Sequence, residues 1–127
     1  MEEKDPLDTT IIEALIAEIG PESMARVLDA MAGDSERLLS GLERAMVCDD
    51  AKAFSLFAHS LKSNSLTVGA VAVGQFFQEL ETIAITSRRL LGREAMVRRA
   101  QTEYRKLIGF IVTVPDSDPQ FDRSSVG

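Results

Sequence analysis

The chain has 127 residues, 20 acidic and 14 basic side chains, and a net charge of −6. That length fits one domain with its own core. The charge balance excludes the dominant basic face of a nucleic-acid binder. The lone Cys48 cannot form an internal disulfide and reads as a small core or helix-end residue, a usage that suits a reducing compartment. No Cys/His cluster has zinc spacing.

The acidic start, Met1-Glu2-Glu3-Lys4-Asp5-Pro6, lacks the apolar stretch of a secretory signal. The longest apolar run, Leu107 to Val114, is too short to span a bilayer. The expectation is a cytoplasmic protein with no membrane and no nucleic-acid partner. It divides into a flexible N-terminus at 1–7, a helical domain at 8–114 and a disordered, proline-containing polar tail at 115–127.

Helical spacing recurs along the chain, and no strand pattern or hairpin signal interrupts it. A first helix begins at Asp8 or Thr10, where Thr10 and Glu13 have capping-box spacing, and ends at Ile19. Its apolar side is Ile11, Ile12, Leu15, Ile16 and Ile19. Gly20-Pro21 separates it from a long second helix reaching about Val47, with Pro21 in its first turn. Met24, Val27, Leu28, Met31, Leu38, Leu39, Leu42, Ala45 and Met46 form its apolar stripe. Gly33-Asp34 interrupts the composition, and Asp34 could cap a separate helix. The apolar phase continues through it, which favours one helix.

Asp49 or Asp50 caps a third helix that carries Ala53 to Thr67 and stops at Gly69. A fourth, from about Val71 to Ser87, buries Val73, Phe76, Phe77, Leu80, Ile83 and Ala84. A fifth, from about Gly92 to Val112, buries Met96, Val97, Ala100, Tyr104, Leu107, Ile108 and Ile111, and Pro115 stops it. Short connections between amphipathic helices predict an all-α, up-down antiparallel four-helix bundle with an additional short N-terminal helix.

The third helix carries the only histidine. At about 100° per residue, Phe54, Phe57, Leu61 and Val68 share one side and His59 lies roughly opposite. Lys52, Ser55, Leu56, Lys62, Ser63 and Leu66 lie within about 60° of it. This face combines an accessible imidazole, a nearby cation and two leucines pointing away from the core, the pattern of a surface that meets another protein. General-base chemistry needs a walled pocket and an orienting carboxylate, which a convex helix face lacks. One histidine without other ligands is a poor metal site. Phosphorylation of the ring fits better. Imidazole is nucleophilic near neutral pH, and the Lys62 ammonium can neutralise phosphoryl oxygens.

The run His59-Ser60-Leu61-Lys62-Ser63-Asn64-Ser65-Leu66-Thr67-Val68-Gly69-Ala70 resembles that of histidine-containing phosphotransfer (HPt) domains. Their pattern is close to His-x-Leu-Lys-Gly-Ser-Ser, two variable positions, an aliphatic residue and Gly-Ala. The resemblance extends over roughly Ile11 to Ile111, with Leu80-Glu81 matching a pair on the family's next helix. It implies a phosphorelay intermediate. Its phosphoacceptor is His59, and Lys62 stabilises the phosphorylated ring. Glu81, with Gln78 as the alternative, accepts the other ring N–H. It implies receiver domains of response regulators and a hybrid sensor histidine kinase as partners. They dock on a surface that includes Ser55, Leu56, Ser63, Leu66 and Gln78.

The chain is expected to be a monomer and to need no cofactor of its own, Mg2+ being held by the partner receiver. Without a nucleotide-binding glycine loop it is expected to be a carrier rather than a kinase. The chain departs from the family's usual glycine at Ser63. Asn64, also less typical there, is expected to bond to neighbouring backbone. The basic cluster Arg88, Arg89, Arg93, Arg98, Arg99, Arg105 and Lys106 reads as a solvated face, with an acidic partner's contact surface as the alternative. Two other functions compete with the relay. One is a receiver-sequestering module that uses the same face without phosphorylation. The other is a small hydrolase with His59 as base, which requires a concave pocket.

Overall fold

The computed structural model describes residues 9–87 and 89–113. They form five helices: α1 (Thr9–Ile19), α2 (Pro21–Val47), α3 (Ala51–Thr67), α4 (Val71–Thr86) and α5 (Glu94–Thr113). No strand occurs among the described residues. The expectations for 1–7 and 115–127 lie outside them. No described helix is long and apolar enough to cross a membrane.

The helices α2 to α5 pack in a closed ring, each against the next and α5 back against α2, while α1 lies on α2. Side-chain pairs set the antiparallel registers. Along α3 and α4, His59 meets Glu81 and Lys62 meets Gln78. Along α2 and α5, Glu36 meets Arg105 and Leu39 meets Gln101. The core between them is apolar: Leu39, Leu42, Phe54, Leu61, Phe77, Leu80, Tyr104, Leu107 and Ile111 are fully buried. Phe77 and Tyr104 meet edge to face, ring centroids 5.7 Å apart, the arrangement that aromatic quadrupoles favour.

The helix ends follow local backbone chemistry. Gly20, at φ 91°, separates α1 from α2. At the end of α3, Gly69 takes φ 80°, and the amides of Gly69 and Ala70 bond to the carbonyls of Leu66 and Ser65. This is a Schellman stop, for which glycine costs no Cβ strain. The same pattern ends α2, where the amides of Asp49 and Asp50 reach Met46 and Ala45. Here the left-handed residue is Asp49, at φ 53°. Its carboxylate accepts the Leu90 amide at 3.1 Å. The α2–α3 turn is thereby tied to the α4–α5 connection, whose Leu90 is fully buried. Asp50 is the N-cap of α3, accepting the Ala53 amide at 3.1 Å.

Several expectations need correction. Thr10 lies inside α1, so it does not occupy the flanking cap position that its spacing to Glu13 suggested. Of the apolar side assigned to α1, Ile12 is buried and Leu15 and Ile16 half-buried, but Ile11 and Ile19 are exposed. On α2, Val27 is exposed as well. The N-terminal helix is laid on α2, so it buries a narrower stripe than a helix inside the ring. Asp34 caps no separate helix; α2 runs unbroken past it, and Asp34 pairs with Arg37 one turn on. Gly92 takes φ 86° outside α5, so that helix begins at Glu94. Cys48 is exposed at the end of α2, which makes it a helix-end residue and not a core one.

Two polar links cross the core side of the bundle. Gln101 is buried on α5 and donates to the Leu39 carbonyl at 3.2 Å and to Glu43 at 3.1 Å. Asn64 donates to the Tyr104 hydroxyl at 3.3 Å, so its partner is a side chain on α5 and not neighbouring backbone. Burial pushes the Tyr104 hydroxyl above the ordinary tyrosine range. The basic cluster is partly paired. Arg105 forks onto Glu36 with two contacts of 3.0 Å and holds that carboxyl below the usual range. Lys106 reaches Glu103, and Arg99 lies over the Phe76 ring. Arg88 lies outside the described residues.

Asp49 is the most demanding of these junctions, because it combines a left-handed backbone with a tertiary hydrogen bond. Asp49→Ala loses both, and urea denaturation should show a loss of about 1–2 kcal/mol. Asp49→Asn, which keeps an acceptor and tolerates the same backbone, should stay within about 0.5 kcal/mol of wild type.

Candidate functional site

The site is built across α3 and α4. Helix α3 buries Phe54, Ala58, Leu61 and Ser65, which fixes its rotation and turns His59 outward. Helix α4 buries Val73, Gly74, Phe77, Leu80 and Ala84, which leaves Gln78, Glu81 and Thr82 along the edge facing α3. Gly74 lets the two helices approach closely, since a Cβ there would lie 2.9 Å from the Leu66 side chain.

Glu81 stands at the centre. Its Oε2 lies 3.1 Å from His59 Nδ1, and its Oε1 accepts from Lys62 Nζ at 2.9 Å. Lys62 Nζ also donates to Gln78 Oε1 at 3.0 Å. The amide nitrogen of Gln78 donates to Thr82 Oγ1 at 3.0 Å. The side chains of Glu81 and Lys62 are only 15% and 18% exposed, whereas that of His59 is 56% exposed. The carboxylate and ammonium are thus partly shielded from water, where charge pairing is screened less than at an open surface. The imidazole remains accessible to a protein or a phosphoryl group.

This geometry sets the chemistry of the ring. An ionised carboxylate only accepts hydrogen bonds. The contact with Glu81 therefore favours the tautomer with the proton on Nδ1, which leaves the lone pair on Nε2. Glu81 also braces Lys62, so the imidazole and a cation are held from one carboxylate.

Each residue singled out in the sequence can now be placed. His59, Lys62, Glu81 and Gln78 come together in one network. Of the two candidates for the ring N–H, Glu81 holds it and Gln78 holds the lysine. Lys62 is not a freely solvated side chain, because α4 covers it. Leu56 and Leu66, 62% and 47% exposed, stand on either side of His59 along α3. Ser63 is exposed and Ser55 half-buried. Thr82 was not singled out by the sequence; its spacing of four from Gln78 on one helix is the signal that could have found it. Among the described residues no group of three or more His, Cys, Asp or Glu side chains gathers as a metal site.

The proton position is open to direct measurement. Nitrogen-15 NMR of the neutral His59 ring should show Nδ1 protonated, the reverse of the tautomer that free imidazole side chains prefer. Glu81→Ala should return the ring to the ordinary tautomer.

Comparison with known proteins agrees with this site. The chain is similar to the crystal structure of histidine-containing phosphotransfer protein B (HptB) from Pseudomonas aeruginosa PAO1. The TM-score is 0.78 at 27% identity, over 87% of this chain and 95% of that one. No curated protein matches it. The Hpt domain model matches residues 26–109, from the first turns of α2 nearly to the end of α5, and includes the whole His59 network. The chain therefore belongs to the Hpt domain family, the histidine phosphotransfer domains of two-component signalling.

Proposed function

We propose that the chain is a phosphorelay intermediate whose phosphoacceptor is His59 Nε2. It takes the phosphoryl group from a receiver-domain aspartate, or from a hybrid sensor histidine kinase, and passes it to the aspartate of a response regulator. The observation that carries this reading is the pairing of an exposed imidazole with a half-buried Glu81 that faces Nδ1 and also holds Lys62.

The Nε2 lone pair attacks phosphorus, forming the N–P bond as the P–O bond to the donor aspartate breaks. That aspartate leaves as a carboxylate. The Nδ1 proton stays on the ring, so the positive charge that develops there lies against Glu81. The ammonium of Lys62 stabilises the phosphoryl oxygens. Phosphoryl transfer asks mainly for positioning and charge stabilisation, and both are supplied without cofactor in this chain. The Mg2+ that offsets charge at the aspartyl phosphate belongs to the partner receiver. Transfer onward is the reverse reaction on a second receiver.

Leu56 and Leu66 supply apolar contact on either side of the ring, with Ser55 and Ser63 completing the docking surface, while the Gln78 amide is taken up at both ends by Lys62 and Thr82. The openness of the ring weighs against a hydrolase, which would wall off its water. The protein works as a monomeric carrier in the cytoplasm, one face serving donor and acceptor in turn.

Incubation with a radiolabelled, phosphorylated receiver domain tests this. Label should appear on the wild-type chain in an acid-labile, alkali-stable bond and be absent from His59→Gln. Lys62→Ala should slow transfer about tenfold or more, the cost of losing one charge-assisted donor. Receiver binding that persists in His59→Ala, with no label on the wild-type chain, would instead support a sequestering module.

A further inference from the structure

The phosphoacceptor reading leaves unexplained why the amide of Gln78 is bound at both ends inside the chain. An ammonium has three N–H donors in a fixed tetrahedral arrangement. Two donors of Lys62 have acceptors on α4: Glu81 Oε1 at 2.9 Å and Gln78 Oε1 at 3.0 Å. Two fixed acceptors hold the ammonium against rotation, so the direction of its third donor is set as well. A lysine held by Glu81 alone would keep that freedom and lose it only when the phosphoryl group arrived.

The amide of Gln78 can serve as such an acceptor in one orientation only. With its nitrogen toward Lys62 it would set N–H donors against an ammonium. The ammonium, a donor only, selects that orientation. Thr82, one turn along α4, then ties down the far end of the amide, its Oγ1 accepting the Gln78 amide nitrogen at 3.0 Å. Both Gln78 and Thr82 are exposed residues, so neither is required for the core.

Resting on the His59 phosphoacceptor reading, we infer that Gln78 and Thr82 are positioning residues that aim the third N–H of the Lys62 ammonium at the phosphoryl group on His59. Gln78 acts by holding Lys62, and Thr82 acts by fixing the Gln78 amide. Neither touches the phosphoryl group. Their contribution is therefore larger in the phosphorylated chain than in the free one, and it shifts the equilibrium of phosphoryl transfer.

The test is the equilibrium partition of phosphate between the chain and one receiver domain, together with the affinity for that receiver when both are unphosphorylated. Gln78→Leu should shift the partition toward the receiver about fivefold and Thr82→Val about threefold, in keeping with the net worth of one hydrogen bond. Binding to the unphosphorylated receiver should be unchanged in both. Thr82→Ser, which keeps the hydroxyl, should restore the wild-type partition. An unchanged partition in both variants would overturn the inference while leaving His59 as phosphoacceptor. Weakened receiver binding at an unchanged partition would also overturn it, because these residues would then be docking contacts. Absence of label on the wild-type chain would mark failure of the phosphoacceptor reading itself.

Discussion

One carboxylate organises this molecule. Glu81 faces the imidazole with one oxygen and the Lys62 ammonium with the other, and each contact constrains the next. Nδ1 is turned to the carboxylate, Nε2 is left facing outward, and the Lys62 ammonium is kept within the same cluster. The carboxylate belongs to α4 and its two partners to α3. The chemistry consequently depends on how these two helices are held, and the fold can be understood as the means of holding them.

That holding comes from packing and from the connection between the two helices. Leu61 and Phe77 are fully buried, as is Leu80, next to Glu81 in sequence. A rotation of either helix would expose apolar surface, at about 25 cal/mol per Å2. The Schellman stop at Gly69 makes the turn tight, and Gly74 lets the helices close on one another beside Leu66. Helices α2 and α5 complete the ring from behind, joined by the Glu36–Arg105 fork and the buried Gln101. The tie from Asp49 to Leu90 fastens the end of the bundle where α2 passes into α3 and α4 into α5. An exposed imidazole is thus carried on a closely packed helix pair, the kind of support that fixes the geometry of a site.

Much of this can be read from residue order alone. Five helices and most of their ends follow from Pro21, Gly69, Asp50 and the apolar spacing of each segment, because those signals act within a turn or two. The outward direction of His59 follows from the phase of Phe54 and Leu61. Contacts between helices are less legible. A single-helix wheel places Lys62 toward water; it is half-buried because α4 lies over it, and nothing in α3 encodes that. The contact of Glu81 with His59 is implied by the family resemblance and not by spacing, since 22 positions separate them. Leu90 is not legible in the sequence, because a buried residue in a connection has no periodicity to reveal it. Ile11 and Ile19 belong to the apolar side of α1 yet are exposed, because apolar content does not tell how much partner surface a terminal helix will find.

On the function proposed above, phosphorylation falls on one ring nitrogen. Phosphorus-31 and nitrogen-15 NMR of the chain after transfer from a phosphorylated receiver tests it most directly. A single phosphohistidine is expected, with phosphorus bonded to Nε2 of His59 and the proton retained on Nδ1. Phosphorus on Nδ1, or on any residue other than His59, would contradict it.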